Sequence, residues 1–538
     1  NVDLLAVDGR STFGNGVLVA AVNEAGGREI PIFDNLSSHT AYLIAFYRHR
    51  PRVIEALRRM IDAYVDSVAG EIGRVGRGTT LINCRIVKNV KIGPAAVIEG
   101  VNRLENGSIN SCPEDPVYVG PGVSAEDFIA ASGSRITDGT LISKCFIGQG
   151  AELAKHYSAE NSVFFANCGG FHGEACAIFA GPYTVTHHKS TLLIAGLFSF
   201  LNAGSGTNQS NHMYKLGPVH QGVVERGSKT ASDSYMLWPA KGVAFTVVMG
   251  RHYRNSDTSD LPFSYLIEHE DESILVPGVN LRSAGTVRDA RKWPRRDRRK
   301  DPNKLDLINF YLLSPYTIQK MLNGGKLLRE LQAAAGEHTE YYTYNNVKIK
   351  RVSLERGIHL YEIGAAKFLG NCLIKRLDGK DIANVDQLRH VLTPDTEVGV
   401  GQWLDLVGLL VPAERVESML SDIETGAINS LEQVADTFAA MHADYDMHEW
   451  AWAARVLRER LGKPIAEITQ DDVVQIMSCW KDAVVELDNM LYSDAGKEFA
   501  PTVQIGYGID GDLQTASEDF SHVRGTLEDN SFVAEIAK

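Results

Sequence analysis

The chain of 538 residues is 44% hydrophobic and 22% charged, with a mean hydropathy of −0.13. This is the composition of a folded protein, too long for one compact core, so two to four domains are expected. No stretch approaches 18 apolar residues free of charge, which excludes a transmembrane helix. Seven cysteines without even spacing exclude a disulfide framework and point to reduced thiols in the cytoplasm.

Charge is unevenly spread within the net of −13: residues 1–300 hold 32 Lys+Arg against 29 Asp+Glu, and the remainder hold 22 against 38. The acidic second part argues against general nucleic-acid binding. In chain order, residues 1–36 read as a β segment that starts or packs on the coil that follows. There "STFGNGVLVAAVNEAGG" sets Asn15-Gly16 before an apolar run and stops at Gly26-Gly27. A helical insertion over 37–70 comes next. "SSHTAYLIAFYRHR" puts hydroxyl caps before a periodic stretch, and "PRVIEALRRMIDAYVDSVAG" opens on Pro51 and ends at Gly70. Val53, Leu57, Met60, Ile61 and Tyr64 share one face of the second helix.

Over 71–300 the rhythm is six: "TLINCR", "IVKNVK", "IGPAAV", "IEGVNR". Ile86, Ile92 and Ile98 recur, and Cys84, Val90 and Ala96 keep a small residue four places after each start. Period six fits neither a helix nor a simple amphipathic strand. It fits a coil with three short flat faces, each pointing an aliphatic residue into a narrow core. Ile136 and Ile142 carry the pattern on, less regularly. Residues about 18 apart then stack, which sets His188 near Gly206 and Asn202 near His220. From 301 to 538 the chain reads as a mostly α-helical domain with one β-like excursion, "YYTYNNVKIKRVSL". The tail from Gly506 is acidic and weakly periodic, and is expected to wrap on the surface or stay partly disordered. Open coil ends need covering, for which the helical half and the insertion are candidates.

The run "IVKNVKIGPAAVIEGV" resembles the hexapeptide-repeat superfamily of left-handed parallel β-helix proteins. That superfamily includes acyltransferases dependent on acyl-CoA or acyl carriers, and the C-terminal parts of sugar-nucleotide pyrophosphorylases. "FGNGVLVAAVNEAGGREIPIFDNLSSHTAYLIAFYRHRP", "HHKSTLLIAG" and "NAGSGTNQSNHMYKLGPVHQG" are similar to a bacterial family that joins this β-helix to a helical C-terminal half. That family is loosely described as related to UDP-N-acetylglucosamine pyrophosphorylases. The resemblance implies a mainly β plus α fold: a left-handed parallel β-helix with a helical insertion and a mostly α-helical C-terminal domain. It also implies a homo-oligomer (trimer or dimer), a sugar or nucleotide-sugar ligand, and acyl-CoA as co-substrate. The glycine-rich, basic nucleotide-binding signature of the pyrophosphorylase half is missing here, so acyl transfer is favoured over nucleotidyl transfer.

His187, His188 and Lys189 precede a segment that holds Asn202, Asn208, Asn211, His212, Lys215 and His220, with Arg226 and Lys229 just after it. In acyltransferases of the resembling class a histidine is the general base, and its pKa near working pH suits that task. His188 and His220 are the candidates here. The asparagines can orient a sugar, and the cations can hold phosphate. A purely structural hydrogen-bond ladder in the coil is the plainer alternative.

Other clusters are weighed the same way. Cys168, His172 and Cys176 have zinc-capable atoms but lack paired ligand spacing, so packing is favoured and no metal is assigned. "RDARKWPRRDRRKDPNK", residues 288–304, can grip phosphates or join the acidic half by salt bridges, and joining is favoured. His442, His448 and Trp452 read as a packed helical face. The expected function is a transferase on a sugar or nucleotide-sugar. The alternatives are a non-catalytic binding protein for a phosphorylated sugar or nucleotide, and a structural scaffold.

Overall fold

The computed structural model describes residues 2–210, 221–336 and 338–536. Residues 80–276 wind into a parallel β-solenoid of about ten turns. Fourteen strands form one sheet, which starts at Thr80–Ile82 and is continued beyond the solenoid by later strands. A second sheet, of 12 strands, starts at Val2–Ala6, which pairs in parallel with Cys84–Ile92.

Strands of the second sheet bend partway along, which gives the coil its three faces. Each bend carries a residue with positive φ: Asn89 (56°), Asn106 (49°), Asp127 (55°), Lys144 (50°) and Asn161 (48°). Asn and Asp tolerate this left-handed conformation better than other side chains, which explains their column here. Coil length varies from 16 to 27 residues, with 17 the commonest: Leu81 pairs with Ile98, Ile142 with Ala159, and Val185 with Asn202. Asn202 pairs with Lys229, 27 positions on, and His220, its expected neighbour, lies outside the described residues.

The inward set differs slightly from the hexad expectation. Cys84, Val87, Val90, Ile92, Ala96 and Ile98 are buried, while Ile86 is only half-buried. Cys84, Val87 and Val90 lie three apart, so the inward set does not follow simple alternation, which the positive-φ residues Asn83 and Asn89 interrupt.

One outward row is also apolar. Ile129, Phe146, Val163, Phe179 and Leu197 stack coil on coil. Such a row needs cover. It receives it from α1 (Ser38–Phe46) and α2 (Pro51–Val68), with Leu43, Ile44 and Leu57 in the same core. The insertion thus covers the flank of the solenoid rather than its end. Local sequence explains both helices: Ser37 accepts the Thr40 N–H as a cap, and Pro51 opens α2.

Past the solenoid come α3 (Ala284–Arg295), an extended strap, α4 (Pro315–Ala335), a hairpin, α5 (Arg351–Leu377) and α6 (Val385–Leu392). A second hairpin (Trp403–Leu406, Leu409–Pro412) precedes α7 (Ala413–Thr425), α8 (Leu431–Ala443), α9 (Tyr445–Leu461) and α10 (Gln470–Gly496). The tail is more ordered than expected, with α11 (Leu513–Arg524) and α12 (Ser531–Ile536). The β excursion is the hairpin Tyr341–Tyr344 and Val347–Lys350, turning on Asn345 and Asn346 at positive φ. Val347–Lys350 also pairs in parallel with Glu272–Val276, so it extends the 14-stranded sheet and closes the C-terminal end of the solenoid.

His39 ties the helical insertion to the strap and to the second hairpin. It is fully buried; its Nε2 accepts the Leu307 N–H at 2.9 Å, so Nδ1 is the donor to the Leu406 carbonyl at 2.8 Å. Burial pushes its pKa below 6.5, against the opposing pull of Asp306 and Asp405. The unfolded chain therefore binds this proton more readily, and stability is present above pH 6.5 and lost as pH falls through the folded pKa. Between pH 7.5 and 5 the loss is at most about 2 kcal/mol, the free energy of protonating an ordinary imidazole that the folded chain keeps neutral. Urea midpoints for the unaltered chain should fall more steeply across that window than those of His39→Gln; parallel slopes would refute the assignment.

Candidate functional site

A groove of about 620 Å³ runs between the 14-stranded sheet and α3. Its floor is an outward row of that sheet: Glu152, Gly169, Val185, Asn202 and Lys229, in register. Gly169 and Val185 are small or short, which leaves a trough between the polar ends of the row. Phe171 and His187 stand on one side, stacked with centroids 5.4 Å apart and planes at 14°.

The opposite wall is α3, and one side chain explains how it docks. Tyr183, Phe200, Phe245 and Phe263 sit at one corner of successive coils, all with positive φ. Tyr183 stacks on Phe200 and Phe245 on Phe263. Gly227 interrupts this aromatic ladder, because a Cβ there would lie 2.3 Å from the Phe245 ring. Trp293 of α3 bridges the break, 4.7 Å from Phe200 and 6.2 Å from Phe245.

Docked this way, α3 turns Arg288, Lys292 and Arg296 to the groove, where Arg298 and Lys229 join them. The carboxylates present are Glu152 and Asp289. Arg298 donates to Glu152 at 2.8 Å and Lys229 to Asp289 at 2.7 Å. Burial opposes ionisation of Asp289, but Lys229 and Arg288 hold its pKa below the usual value. Among the described residues, Lys292 and Arg296 have no carboxylate within 4.0 Å. Burial and then the neighbouring Arg288 lower the Lys292 pKa. Partial burial first, then His188, Arg296 and Arg298, lowers that of His187. The groove thus carries an excess of positive charge over an aromatic and glycine surface, an arrangement suited to a phosphorylated ligand that bears a ring.

Of the residues singled out from sequence, His187, Asn202 and Lys229 meet in this groove. His188 and Lys189 are exposed on the adjoining turn, the His188 ring 6.5 Å from that of His187. Asn208 is exposed on a separate three-stranded sheet, paired with Tyr235. Asn211, His212, Lys215 and His220 lie outside the described residues. Arg226 does not face a ligand. It is 1% exposed, with Nε 2.8 Å from Asp405 and Nη2 donating to the Asn309 and Gly408 carbonyls.

The basic run divides its work. Asp297, Arg298 and Arg299 tie the strap to solenoid turns and to one another, as expected of a joint. Arg288, Lys292 and Arg296 make the groove wall. Their signal in the sequence was the tryptophan within the basic run, which reported a docked helix. Cys168 is fully buried, its thiol donating to the Gly181 carbonyl and pushed up to about 12 by burial. His448 and Trp452 are buried in a packed face of α9.

Residues 384–538 match a domain of unknown function, DUF6819. A protein of Treponema pallidum (strain Nichols), described as uncharacterized, is 24% identical over 507 residues, covering 86% of this chain and 70% of that one. Residues 1–332, which hold the solenoid, α3 and nearly all of α4, match the model of a domain of unknown function, DUF4954, and the chain belongs to that family.

Proposed function

We propose that the protein binds a phosphorylated sugar or nucleotide-sugar in the groove between the solenoid and α3. The observation that carries this reading is the pair of cations, Lys292 and Arg296, that face the groove without a carboxylate partner among the described residues. A phosphate or diphosphate supplies that partner, the sheet row offers Asn202 to a sugar, and the Phe171–His187 stack offers a face to a ring.

A second reading, group transfer, is favoured by His187. Its lowered pKa leaves a neutral imidazole in the groove wall at physiological pH, able to accept a proton from a sugar hydroxyl. The base in that reading is His187, which lines the groove, rather than His188, which does not, with an acyl-CoA as donor.

Calorimetric titration with nucleotide-sugars, sugar phosphates and acyl-CoAs tests both. Binding of a phosphorylated ligand should strengthen as pH falls from 8 to 6. An anion beside His187 offsets the positive neighbours that depress its pKa, so a proton is taken up on binding. The gain should vanish in His187→Gln. Failure of every phosphorylated compound to bind sinks the first reading. Turnover that survives His187→Gln removes the second.

A further inference from the structure

The basic residues of α3 divide between two edges. Arg288, Lys292 and the C-cap residue Arg296 line the groove. On the other edge Arg291 and Arg295 converge on one carboxylate, Glu535 of α12, at 3.6 and 3.5 Å. The Arg291 guanidinium also lies 5.8 Å from the centroid of Phe532, and the adjacent Val533 is buried. The start of α3 is held by the same C-terminal region, since the Ala284 N–H donates to Asp494 of α10 at 2.9 Å. The groove wall supplied by residues of the DUF4954 match is therefore gripped from outside by residues of the DUF6819 match.

This grip is light. The Arg291, Arg295 and Glu535 side chains are 41%, 71% and 43% exposed, and ion pairs of that kind are weak and screened by salt. A helix of six residues has no stability of its own, so α12 persists only through these contacts and the packing of Phe532 and Val533.

We propose that α12 is an electrostatic gate on the groove, resting on the anion-binding reading above. Glu535 offsets one of the two arginine charges that flank the groove; detaching α12 restores that charge to the field that holds a phosphorylated ligand. Because coupling of two binding events is reciprocal, an anion in the groove weakens the hold on α12. The helical C-terminal region thus acquires a role: it sets the affinity of the solenoid site.

The test uses the full chain and pyrophosphate as the probe. Glu535→Gln should tighten pyrophosphate binding about three- to tenfold, the effect expected of one negative charge removed at the edge of a solvated site. Adding Arg291→Gln and Arg295→Gln should cancel that gain. Pyrophosphate should also speed amide exchange over residues 527–536 of the unaltered protein. Unchanged affinity in Glu535→Gln, with normal binding by the unaltered chain, overturns the gate and leaves the groove reading standing. Absence of pyrophosphate binding by the unaltered chain overturns the groove reading and the gate with it.

Discussion

Replacing Arg226 with methionine should lower the stability of the chain by about 3–5 kcal/mol, the usual loss when one partner of a buried ion pair is removed. Arg226 and Asp405 are 1% and 7% exposed at the side chain and 2.8 Å apart. The contact is one of charge, since Nε has no aligned hydrogen-bond acceptor, while Nη2 donates to Asn309 and Gly408 and the guanidinium lies 5.0 Å from the Phe200 centroid. Without Arg226, Asp405 stays buried and, among the described residues, keeps only the Gly408 N–H as donor. Asp405→Asn should be destabilising too, but less so, because an amide needs less compensation than a charge. In the double variant Arg226→Met, Asp405→Leu, most of the loss should return, since apolar replacements of both partners remove the desolvation penalty. Urea unfolding of these proteins together with the single variant Asp405→Leu closes the cycle. A single-variant loss below about 1 kcal/mol would mean that water reaches the pair and that this joint does not hold the two halves together.

That joint illustrates what was legible in the sequence and what was not. The hexads over 80–104 announced a coil because the signal is local: each face is a few residues long and repeats at once. The helix pair was legible for the same reason, through Ser37, Pro51 and the apolar stripe of α2. The coil length was not. Seventeen residues rather than three full hexads follow from the bends at Asn89, Asn106 and their successors, whose left-handed φ no hydrophobic pattern records. Arg226 looked like a ligand-binding cation because the sequence shows its charge but not Asp405, 179 positions later, that buries with it.

The groove is the sharper case. His187, Asn202 and Lys229 could be suspected one by one, yet their partners Lys292 and Arg296 are brought opposite them only by Trp293 filling the break at Gly227. A glycine in an aromatic column and a tryptophan in a basic run are unremarkable apart. Together they place the helix. Pairings of that range lie beyond periodicity, and they decide which polar residues share a cavity.

The groove can be separated from the fold by experiment. The pair Lys292→Gln, Arg296→Gln should weaken pyrophosphate or nucleotide-sugar binding by about 100-fold or more, since two charge-assisted hydrogen bonds to phosphate at about 1.5 kcal/mol or more each are lost. Stability should change little, because among the described residues neither side chain has a carboxylate within 4.0 Å to leave behind. Lys229→Gln is the contrasting case: it strands Asp289, so affinity and the unfolding midpoint should fall together. The salt dependence of binding distinguishes direct contact from a remote effect. Removing two phosphate contacts should flatten the slope of log affinity against log salt, whereas a merely loosened α3 would lower affinity and keep the slope. Equal affinity in the double variant and the unaltered chain would place the phosphorylated ligand elsewhere on the molecule. A 100-fold loss with an unchanged midpoint and a flatter slope would fix its phosphates between Lys292 and Arg296.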